Sequence, residues 1–356
     1  MVQRIRTALL GFGLAGSVFH APSLASLEQF SLDVIVTSDP QRQAAAKAAY
    51  PQATVMGRDE WARAGHSWDI DLVIVATPPS THVPLATVAL ESARAVVVDK
   101  PFAVTSADGE TLIALAKEHG KLLTTYQNRR WDGEYLTLQK LLAHDALGEV
   151  RRFESRLERW QPDITKEWKA QATAADGGGV LFDLGTHLID QALQLFGPVS
   201  GVYGELAARR RLELADDDVF VALEHCSGVV SHLWMNLNVA QKGPRLRVLG
   251  AKAAYVKDAA DAQEGQIQAG ILPGNPAYGV DMEEDWGTVG RTGELVPVPT
   301  ERGNFPQFYE LLASALLEGG PVPVDPEDSV AGLRIIEQIR SSEQLRKFPG
   351  AERNGE

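Results

Sequence analysis

The sequence predicts an α/β protein: a doubly wound parallel sheet, followed by a second α/β domain with a large, mostly antiparallel open sheet. In the first part of the chain, short β-branched runs alternate with helical patterns. In the second part, strand-like stretches follow one another with few helices between them. The first arrangement is typical of parallel sheets and the second of antiparallel sheets. The length of 356 residues favours two domains, which we place at residues 1–125 and 126–356.

Five apolar runs separated by helical segments predict the first domain. Strands that are covered on both faces read as continuous apolar runs, and parallel neighbours are usually joined by a crossover helix. The segments 41–50, 82–93 and 106–119 are long enough to be such helices. The runs are IRTALL, LDVIVT, DLVIVAT, AVVVDK and KLLTTY.

The second domain begins with a helix, indicated by apolar residues at Tyr135, Leu138, Leu141 and Leu142. Residues 260–300 carry Gly, Pro and acidic residues without clear periodicity, so we predict long loops there, with at most a short helix. Two helices, at 305–318 and 327–346, close the chain. The predicted strands are EVRRFESRLERW, GVYGELAARRRLEL, DDVFVALEHC, GVVSHLWMNLNV, RLRVLG and AAYVK.

Composition and charge exclude several classes of function. With 44% hydrophobic and 23% charged residues, the chain is typical of globular proteins. Its 34 Lys and Arg against 47 Asp and Glu give a net charge of -13, which repels phosphates, so we expect no nucleic-acid partner. No apolar stretch approaches the roughly 18 residues that can span a bilayer, so we expect no membrane partner.

Two features predict a cytoplasmic protein. Cys226 is the only cysteine, so the chain cannot form an internal disulfide, as is usual in reducing compartments. The start, MVQRIRTALLGFGLAGSVFHA, resembles a short signal peptide in its arginines and apolar run. Its glycines, however, have phosphate-loop spacing, and strand and helix patterns continue behind them.

The hexapeptide GFGLAG predicts a dinucleotide-binding loop. Gly11, Gly13 and Gly16 have the G-x-G-x-x-G spacing, directly after a strand and at the start of a helix. In such a loop the first glycine permits a tight turn, the second lets the backbone approach a pyrophosphate, and the third lets the helix pack on the strand. We therefore predict a Rossmann domain that binds NAD or NADP.

The end of the second strand, IVTSDP, leaves the choice of cofactor open. An acidic side chain about 20 residues beyond the glycines would accept hydrogen bonds from the ribose hydroxyl of NAD. If Ser38 holds that position, it leaves room for the 2′-phosphate of NADP, with Thr37 and Arg42 as further contacts. If Asp39 holds it, the cofactor is NAD. A third reading is that these residues only cap the next helix. We favour NADP.

The segments VATPPSTH and VVVDKPF follow two of the predicted parallel strands. Thr77, Pro79, His82 and Lys100 should therefore lie at the carboxyl edge of the sheet, where doubly wound folds bind ligands. The alternative for Lys100 is that it is simply the first exposed residue of a loop. We predict that all four residues contact the cofactor.

The segment GGGVLFDLGTHLID places Asp183, His187 and Asp190 inside an apolar run. In a helix, Asp183 and His187 share a face and Asp190 lies close to it. The simplest alternative is an amphipathic helix whose polar stripe meets water. We assign Asp190 to structure.

Together, GFGLAG, VVVDKPF, YQNRRWD and GGGVLFDLGTHLIDQALQLFG resemble the Gfo/Idh/MocA family of NAD(P)-dependent oxidoreductases over nearly the whole chain. Within that family, NRRWDGEYLTL, EDWG and GNF resemble the branch that contains NADP-dependent scyllo-inositol dehydrogenases. The resemblance implies that Lys100 contacts substrate and nicotinamide and that Asp183 and His187 are catalytic. It implies that the glycines before Asp183 let the backbone approach the substrate closely. The chain departs from the family pattern in having Asp99 where Glu is usual.

Hydride transfer from a carbinol needs these residue types. A base must remove the hydroxyl proton, and histidine is suited to this at neutral pH. We predict that His187 is this base, that Lys100 stabilises the developing alkoxide, and that Asp183 orients the hydroxyl or His187. The reverse assignment, with Lys100 as the base and His187 as a hydrogen-bond donor, stays open.

Further candidates lie in segments that the resemblance places near the cleft. Asn128 is a candidate cofactor contact, and Arg129, Trp160 and Trp168 are candidate substrate contacts. The alternative is that Arg129, with Arg130, forms ion pairs and that the tryptophans serve the core.

We expect no metal ion, although Asp183, His187, His225 and His232 are potential ligands. The sequence has no His-x-x-x-His or paired cysteine spacing, and a lysine can hold the alkoxide in place of a metal.

The predicted reaction is the oxidation of a secondary hydroxyl of an inositol or a sugar-like polyol, by a homodimer or homotetramer. Two alternatives stay open. A redox-neutral glycosidase would hold NAD tightly, and a non-catalytic NAD(P)-binding sensor would have no turnover.

Overall fold

The fold was analysed in a computed structural model, which describes residues 4–64, 69–164, 171–210, 214–342 and 346–347. The chain forms two compact units, each assembled from three segments. Unit 1 consists of Met1–Asp132, Ala262–Val280 and Gly303–Val330. Unit 2 consists of Gly133–Asp261, Asp281–Arg302 and Ala331–Glu356. The predicted boundary at residue 125 stays a prediction; unit 1 differs from the predicted first domain in including segments from the later part of the chain.

Unit 1 contains a six-stranded parallel sheet in the order β3-β2-β1-β4-β5-β6. The strand order reverses between β1 and β4, as in a doubly wound Rossmann fold. The strands are β1 Ile5–Leu10, β2 Phe30–Val36, β3 Thr54–Met56, β4 Leu72–Val75, β5 Ala95–Asp99 and β6 Leu122–Tyr126. The helices are α1 Ala21–Ala25, α2 Pro40–Ala49, α3 Arg58–Ala64, α4 His82–Ser92 and α5 Ser106–Glu118, and a π-helical turn, Ala15–His20, precedes α1.

The central strands of this sheet are buried on both faces, which explains their continuous apolar sequences. Along β5, Val97 packs with one apolar cluster, whereas Val96 and Val98 pack with a second cluster on the opposite face. The first cluster includes Ile267 and Phe308 from the late segments of unit 1. These segments therefore complete the core of unit 1.

Unit 2 is built on a nine-stranded, mostly antiparallel sheet in the order β14-β13-β12-β11-β7-β10-β9-β8-β15. The pairs β7–β10 and β8–β15 are parallel. The strands are β7 Val150–Glu158, β8 Val199–Ala208, β9 Asp218–His225, β10 Val230–Asn236, β11 Leu246–Gly250, β12 Ala254–Lys257, β13 Gly287–Arg291, β14 Glu294–Val298 and β15 Arg346–Lys347. Helix α6 is Gly133–Ala143, and a π-helical turn, Leu181–Gly185, leads into α7, Thr186–Phe196.

Three helices belong to the late part of the chain: α8 Gln263–Gln268, α9 Pro306–Glu318 and α10 Pro326–Ser342. In the described part of the chain, no helix is long and apolar enough to cross a membrane.

The predicted fold class is confirmed, with three corrections to its elements. The strand β3 and the helix α3 were not predicted, because a three-residue strand leaves little periodic signal. Residues 260–300 were wrongly predicted as loops with at most a short helix, since β13 and β14 form a hairpin there. The last helix is described as far as Ser342, and Arg346, where it was predicted to end, instead lies in the short strand Arg346–Lys347, which pairs with β8.

Candidate active site

The glycine loop in unit 1 combines two glycines that leave no room for a side chain with one that faces open space. Gly11 follows β1 with φ +103, and a Cβ atom there would lie 2.1 Å from the Ala76 carbonyl oxygen. A Cβ atom at Gly16 would lie 2.1 Å from the Gly11 carbonyl oxygen. At Gly13, by contrast, the nearest atom would be Nη1 of Arg42, at 3.7 Å. Gly11 and Gly16 are therefore required by internal packing, whereas Gly13 leaves an open surface that fits a dinucleotide.

At the end of β2, the side chain of Asp39 forms a hydrogen bond within the protein. Asp39 is the N-cap of α2, and its Oδ1 accepts a hydrogen bond from the Arg42 backbone N–H at 2.9 Å. Ser38 is exposed, and its Oγ accepts a hydrogen bond from the Arg58 N–H at 3.3 Å. Thr37 is buried. The region around Ser38 is thus flanked by two arginines, of which Arg58 was not predicted because it follows the unpredicted strand β3.

The loops after β4 and β5 are joined by His82. Its Nδ1 lies 2.8 Å from the Pro101 carbonyl oxygen, and its Nε2 lies 2.8 Å from the Thr77 carbonyl oxygen. The ring is buried, and burial lowers the pKa of His82. His82 thus holds the Thr77 loop, which continues into the turn Pro79–Thr81, and its predicted contact with the cofactor stays a prediction.

Lys100 directly follows β5 and is half-buried. Its backbone N–H donates to Oδ1 of Asp99 at 2.8 Å. The other oxygen, Oδ2, lies 4.0 Å from Nε2 of His20, whose Nδ1 is 2.5 Å from the Tyr309 hydroxyl. Burial raises the pKa of the Asp99 carboxyl, but the His20 ring and the Lys100 charge outweigh it, so the net pKa is lowered. The shorter Asp99, at the usual Glu position, is thus paired inside unit 1.

The segment after β6 is held by ion pairs. Asn128 is buried in the turn Asn128–Trp131. Arg129 donates to Asp132 at 2.9 Å, and Arg130 donates to Asp328 at 2.9 Å. These contacts agree with the ion-pair alternative for both arginines; a substrate contact of Arg129 stays a prediction.

In unit 2, Asp183 and His187 lie at the junction of the π-helical turn and α7. Asp183 is half-buried within the π-helical turn, and His187 is 4% exposed in the first turn of α7. Asp190 is also buried. The polar residues of this segment therefore do not form a solvent-facing stripe. π-Helical turns are rare and frequently occur at functional sites.

The glycines before this helix approach other segments of unit 2 closely, and the close approach to the substrate that the resemblance implied stays a prediction. A Cβ atom at Gly178 would lie 2.4 Å from the Ala172 carbonyl oxygen. A Cβ atom at Gly179, where φ is +96, would lie 2.4 Å from Oδ1 of Asp216. Gly178 and Gly179 therefore already pack closely against the protein's own chain.

The tryptophan candidates and the metal question complete the site. Trp160 is 57% exposed and forms an isolated bridge with Asn238, and Trp168 lies outside the described residues. Among the described residues, no group of three or more His, Cys, Asp or Glu side chains is arranged to hold a metal ion. The ring of His225 forms a hydrogen bond with the Ser231 hydroxyl, and the ring of His232 forms one with the Arg152 guanidinium.

Family comparisons match both parts of the chain. Residues 5–127 match the oxidoreductase family with an NAD-binding Rossmann fold, and residues 135–256 match the GFO/IDH/MocA C-terminal domain. The first match contains the glycine loop and Lys100, and the second contains Asp183 and His187.

Individual relatives are similar over almost their full length. The chain is 31% identical to scyllo-inositol 2-dehydrogenase (NADP(+)) IolW of Bacillus subtilis, covering 97% of this chain and 96% of that protein. It is 36% identical to the uncharacterized oxidoreductase YdgJ of Escherichia coli, over 95% and 96%. The structure of the oxidoreductase YvaA from Bacillus subtilis superposes with a TM-score of 0.87 at 32% identity, over 96% of both chains. The chain therefore belongs to the Gfo/Idh/MocA family and is an NAD(P)-dependent oxidoreductase.

Proposed function

We propose that this protein oxidises a secondary hydroxyl of a cyclic polyol or sugar, with scyllo-inositol as the first substrate to test. The observation that carries the proposal is the buried His187, four residues after the half-buried Asp183 at the start of α7, because ionisable side chains are rarely buried and cluster at functional sites. The similarity to a scyllo-inositol 2-dehydrogenase supports the inositol-type substrate.

In the proposed reaction, each of three residues has one role. When bound, the nicotinamide would supply the acceptor for the hydride of the carbinol carbon. His187 takes the hydroxyl proton, and the Lys100 ammonium stabilises the alkoxide that develops as the proton leaves. Asp183, about one helical turn before His187, orients the hydroxyl or the imidazole. A half-buried lysine charge is worth more than an exposed one because water screens it less.

We propose NADP as the preferred cofactor. The carboxylate of Asp39 is engaged as the cap of α2, while Ser38 is small and exposed. The Arg42 guanidinium lies beside Gly13, on the open side of the loop. A 2′-phosphate would find a guanidinium there rather than a carboxylate, and arginine suits phosphate recognition.

Replacing Arg42 tests this choice. We expect Arg42→Gln to weaken NADP(H) binding by about 10- to 100-fold, because a charge-assisted hydrogen bond contributes roughly 1.5–3 kcal/mol. NAD(H) binding should change little. The matched control is Lys47→Gln, which removes a positive charge from the exposed end of the same helix. Fluorescence titration with NADPH and NADH measures both; equal losses for the two cofactors would contradict the role of Arg42.

We propose that the protein forms a homodimer or homotetramer through the open face of the unit 2 sheet. Tyr203, Phe220 and Trp234 form a row on this face, with ring centroids 6.4 and 5.2 Å apart along it. The Arg156 guanidinium lies 3.9 Å above the Trp234 ring. A monomeric mass in light scattering would contradict the assembly.

We also propose a cytoplasmic location, because Cys226 has no second cysteine in the sequence to pair with.

The function itself is tested with purified protein, NAD or NADP, and a panel of inositol isomers and aldoses. We expect reduced nicotinamide to form with scyllo-inositol and NADP. Turnover with NAD alone would contradict the proposed cofactor and assign ribose recognition to Asp39. Silence across the panel, with the cofactor bound, would contradict the proposed dehydrogenase and favour the redox-neutral glycosidase.

A further inference from the structure

Three consecutive aspartates lie at and just before the start of β9 in unit 2, and each of them pairs with an arginine. They differ in what else they contact: the first also binds the start of the helix that carries Asp183 and His187, whereas the second binds its own hairpin loop. The pairs are Asp216–Arg340, Asp217–Arg210 and Asp218–Arg209.

Asp216 accepts two hydrogen bonds from the start of this helical segment and a third from Arg340 of α10. Its Oδ2 accepts a hydrogen bond from the Leu181 N–H at 2.7 Å, and its backbone carbonyl accepts one from the Val180 N–H at 2.9 Å. Its Oδ1 accepts a hydrogen bond from Nη2 of Arg340 at 2.7 Å. The carboxylate is fully buried, so both of its oxygens depend on these partners for the solvation that water would otherwise give.

Arg340 adds a second set of contacts to the same segment. Its Nη2 also donates to the Gly178 carbonyl oxygen at 3.3 Å, and its guanidinium lies 4.9 Å from the centre of the Phe182 ring. Gly179, between these residues, has no side chain, and any Cβ atom there would collide with the Asp216 carboxylate. Both members of the ion pair therefore contact residues 178–182: Asp216 binds Val180 and Leu181, and Arg340 binds Gly178 and lies near Phe182.

We infer that Asp216 and Arg340 are positioning residues that set the orientation of Asp183 and His187. The inference rests on the proposed function. The pair fixes the backbone at Val180 and Leu181, immediately before the π-helical turn that contains Asp183 and leads to His187. Because a helix moves as a rigid segment, a small tilt at its first residues displaces the imidazole of His187. Misplacement of a reacting group by about 1 Å can lower a rate roughly 100-fold.

The test compares Asp216→Asn with the matched control Asp217→Asn. Asp217 is equally buried, and its carboxylate accepts hydrogen bonds from Arg209 N–H at 2.7 Å and from Arg210 N–H at 2.8 Å. Both substitutions remove a buried charge from an ion pair, so both should lower the thermal midpoint. We expect kcat to fall about tenfold or more only in Asp216→Asn, with the Kd for NADPH unchanged in both variants.

Two more readouts keep the inference testable if Asp216→Asn folds poorly. Arg340→Lys retains the charge and one donor, so it should retain more of kcat than Arg340→Gln. Hydrogen exchange of the backbone amides at 180–183 should accelerate in Asp216→Asn and in Arg340→Gln but stay protected in Asp217→Asn.

These outcomes separate the inference from the proposed function. If the wild-type protein is inactive on the whole panel, the proposed function fails, while the exchange rates still report whether the pair anchors the helix. If the wild-type protein is active and Asp216→Asn loses no more kcat than Asp217→Asn, the inference is overturned. Equal exchange at 180–183 in both variants would overturn it as well.

Discussion

His187→Asn is expected to lower the rate of the proposed reaction about 100-fold or more while leaving the cofactor bound, because general base catalysis typically contributes a factor of 10² to 10⁴. Asparagine retains a hydrogen-bonding side chain of similar size but cannot accept the hydroxyl proton. The dinucleotide loop, in unit 1, is unchanged. Steady-state kinetics and NADPH titration measure the two effects separately. The acid limb of the kcat/KM profile, which reports protonation of the base in the free enzyme, should disappear in the variant.

A matched control for this variant is His225→Asn, which also replaces a buried histidine of unit 2. The His225 ring bridges the Gly197 carbonyl oxygen and the Ser231 hydroxyl, each at 2.8 Å. Its loss should lower thermal stability by roughly 1–3 kcal/mol, because buried polar partners lose their hydrogen bonds, with kcat preserved. If His187→Asn keeps full activity, the histidine is not the base, and Lys100 takes that role. A protein that only senses NAD(P) would show no turnover in any variant.

Gly13→Ala is expected to fold normally and to lose at least about tenfold in NADP(H) affinity, because the methyl group would occupy the surface where the backbone meets a pyrophosphate. The nearest atom to that methyl group would be Arg42 Nη1 at 3.7 Å, an ordinary contact. Gly16→Ala is the contrasting variant. Its Cβ atom would lie 2.1 Å from the Gly11 carbonyl oxygen, so the helix must move away from the strand. We expect a loss of about 1–3 kcal/mol of stability or more.

Thermal unfolding and cofactor titration distinguish these two variants. Gly13→Ala should keep the midpoint of unfolding and lose binding, whereas Gly16→Ala should lower the midpoint in the absence of cofactor. A Gly13→Ala protein that binds NADP(H) like the wild type would show that this loop does not hold the pyrophosphate.

Sequence patterns predicted those parts of the fold whose physics is local. The strands β1, β4 and β5 are continuous apolar runs because both faces of the sheet are covered. Each such strand can therefore be predicted from its own residues, without knowledge of its partners. The hairpin of β13 and β14 was missed because β14 is largely exposed and contains Pro297, so it lacks the alternation of a half-buried strand.

The site was predictable as a set of residue types but not as a set of contacts. The sequence left Asp39 open between a ribose contact and a helix cap, and only the hydrogen bond to Arg42 N–H identifies the cap. The Asp216–Arg340 pair joins residues 124 positions apart, and nothing in either local segment indicates it. The roles of Lys100, Asp183 and His187 stay predictions until the variants are measured.

The π-helical turn at Leu181–Gly185 makes chain length, as well as side-chain identity, a determinant of where Asp183 lies. A π-helical turn contains one residue more than the α-helical ladder around it would need. Deleting one residue between 181 and 185 would let the segment close as an α-helix without losing its apolar character. Because the wider turn accommodates the extra residue locally, the helix on either side would keep its relative orientation, whereas the residues inside the turn, Asp183 among them, would be displaced. In evolutionary terms, point substitutions can tune this proposed site gradually, whereas a single-residue deletion inside the turn would shift Asp183 relative to the helix that carries His187 in one step.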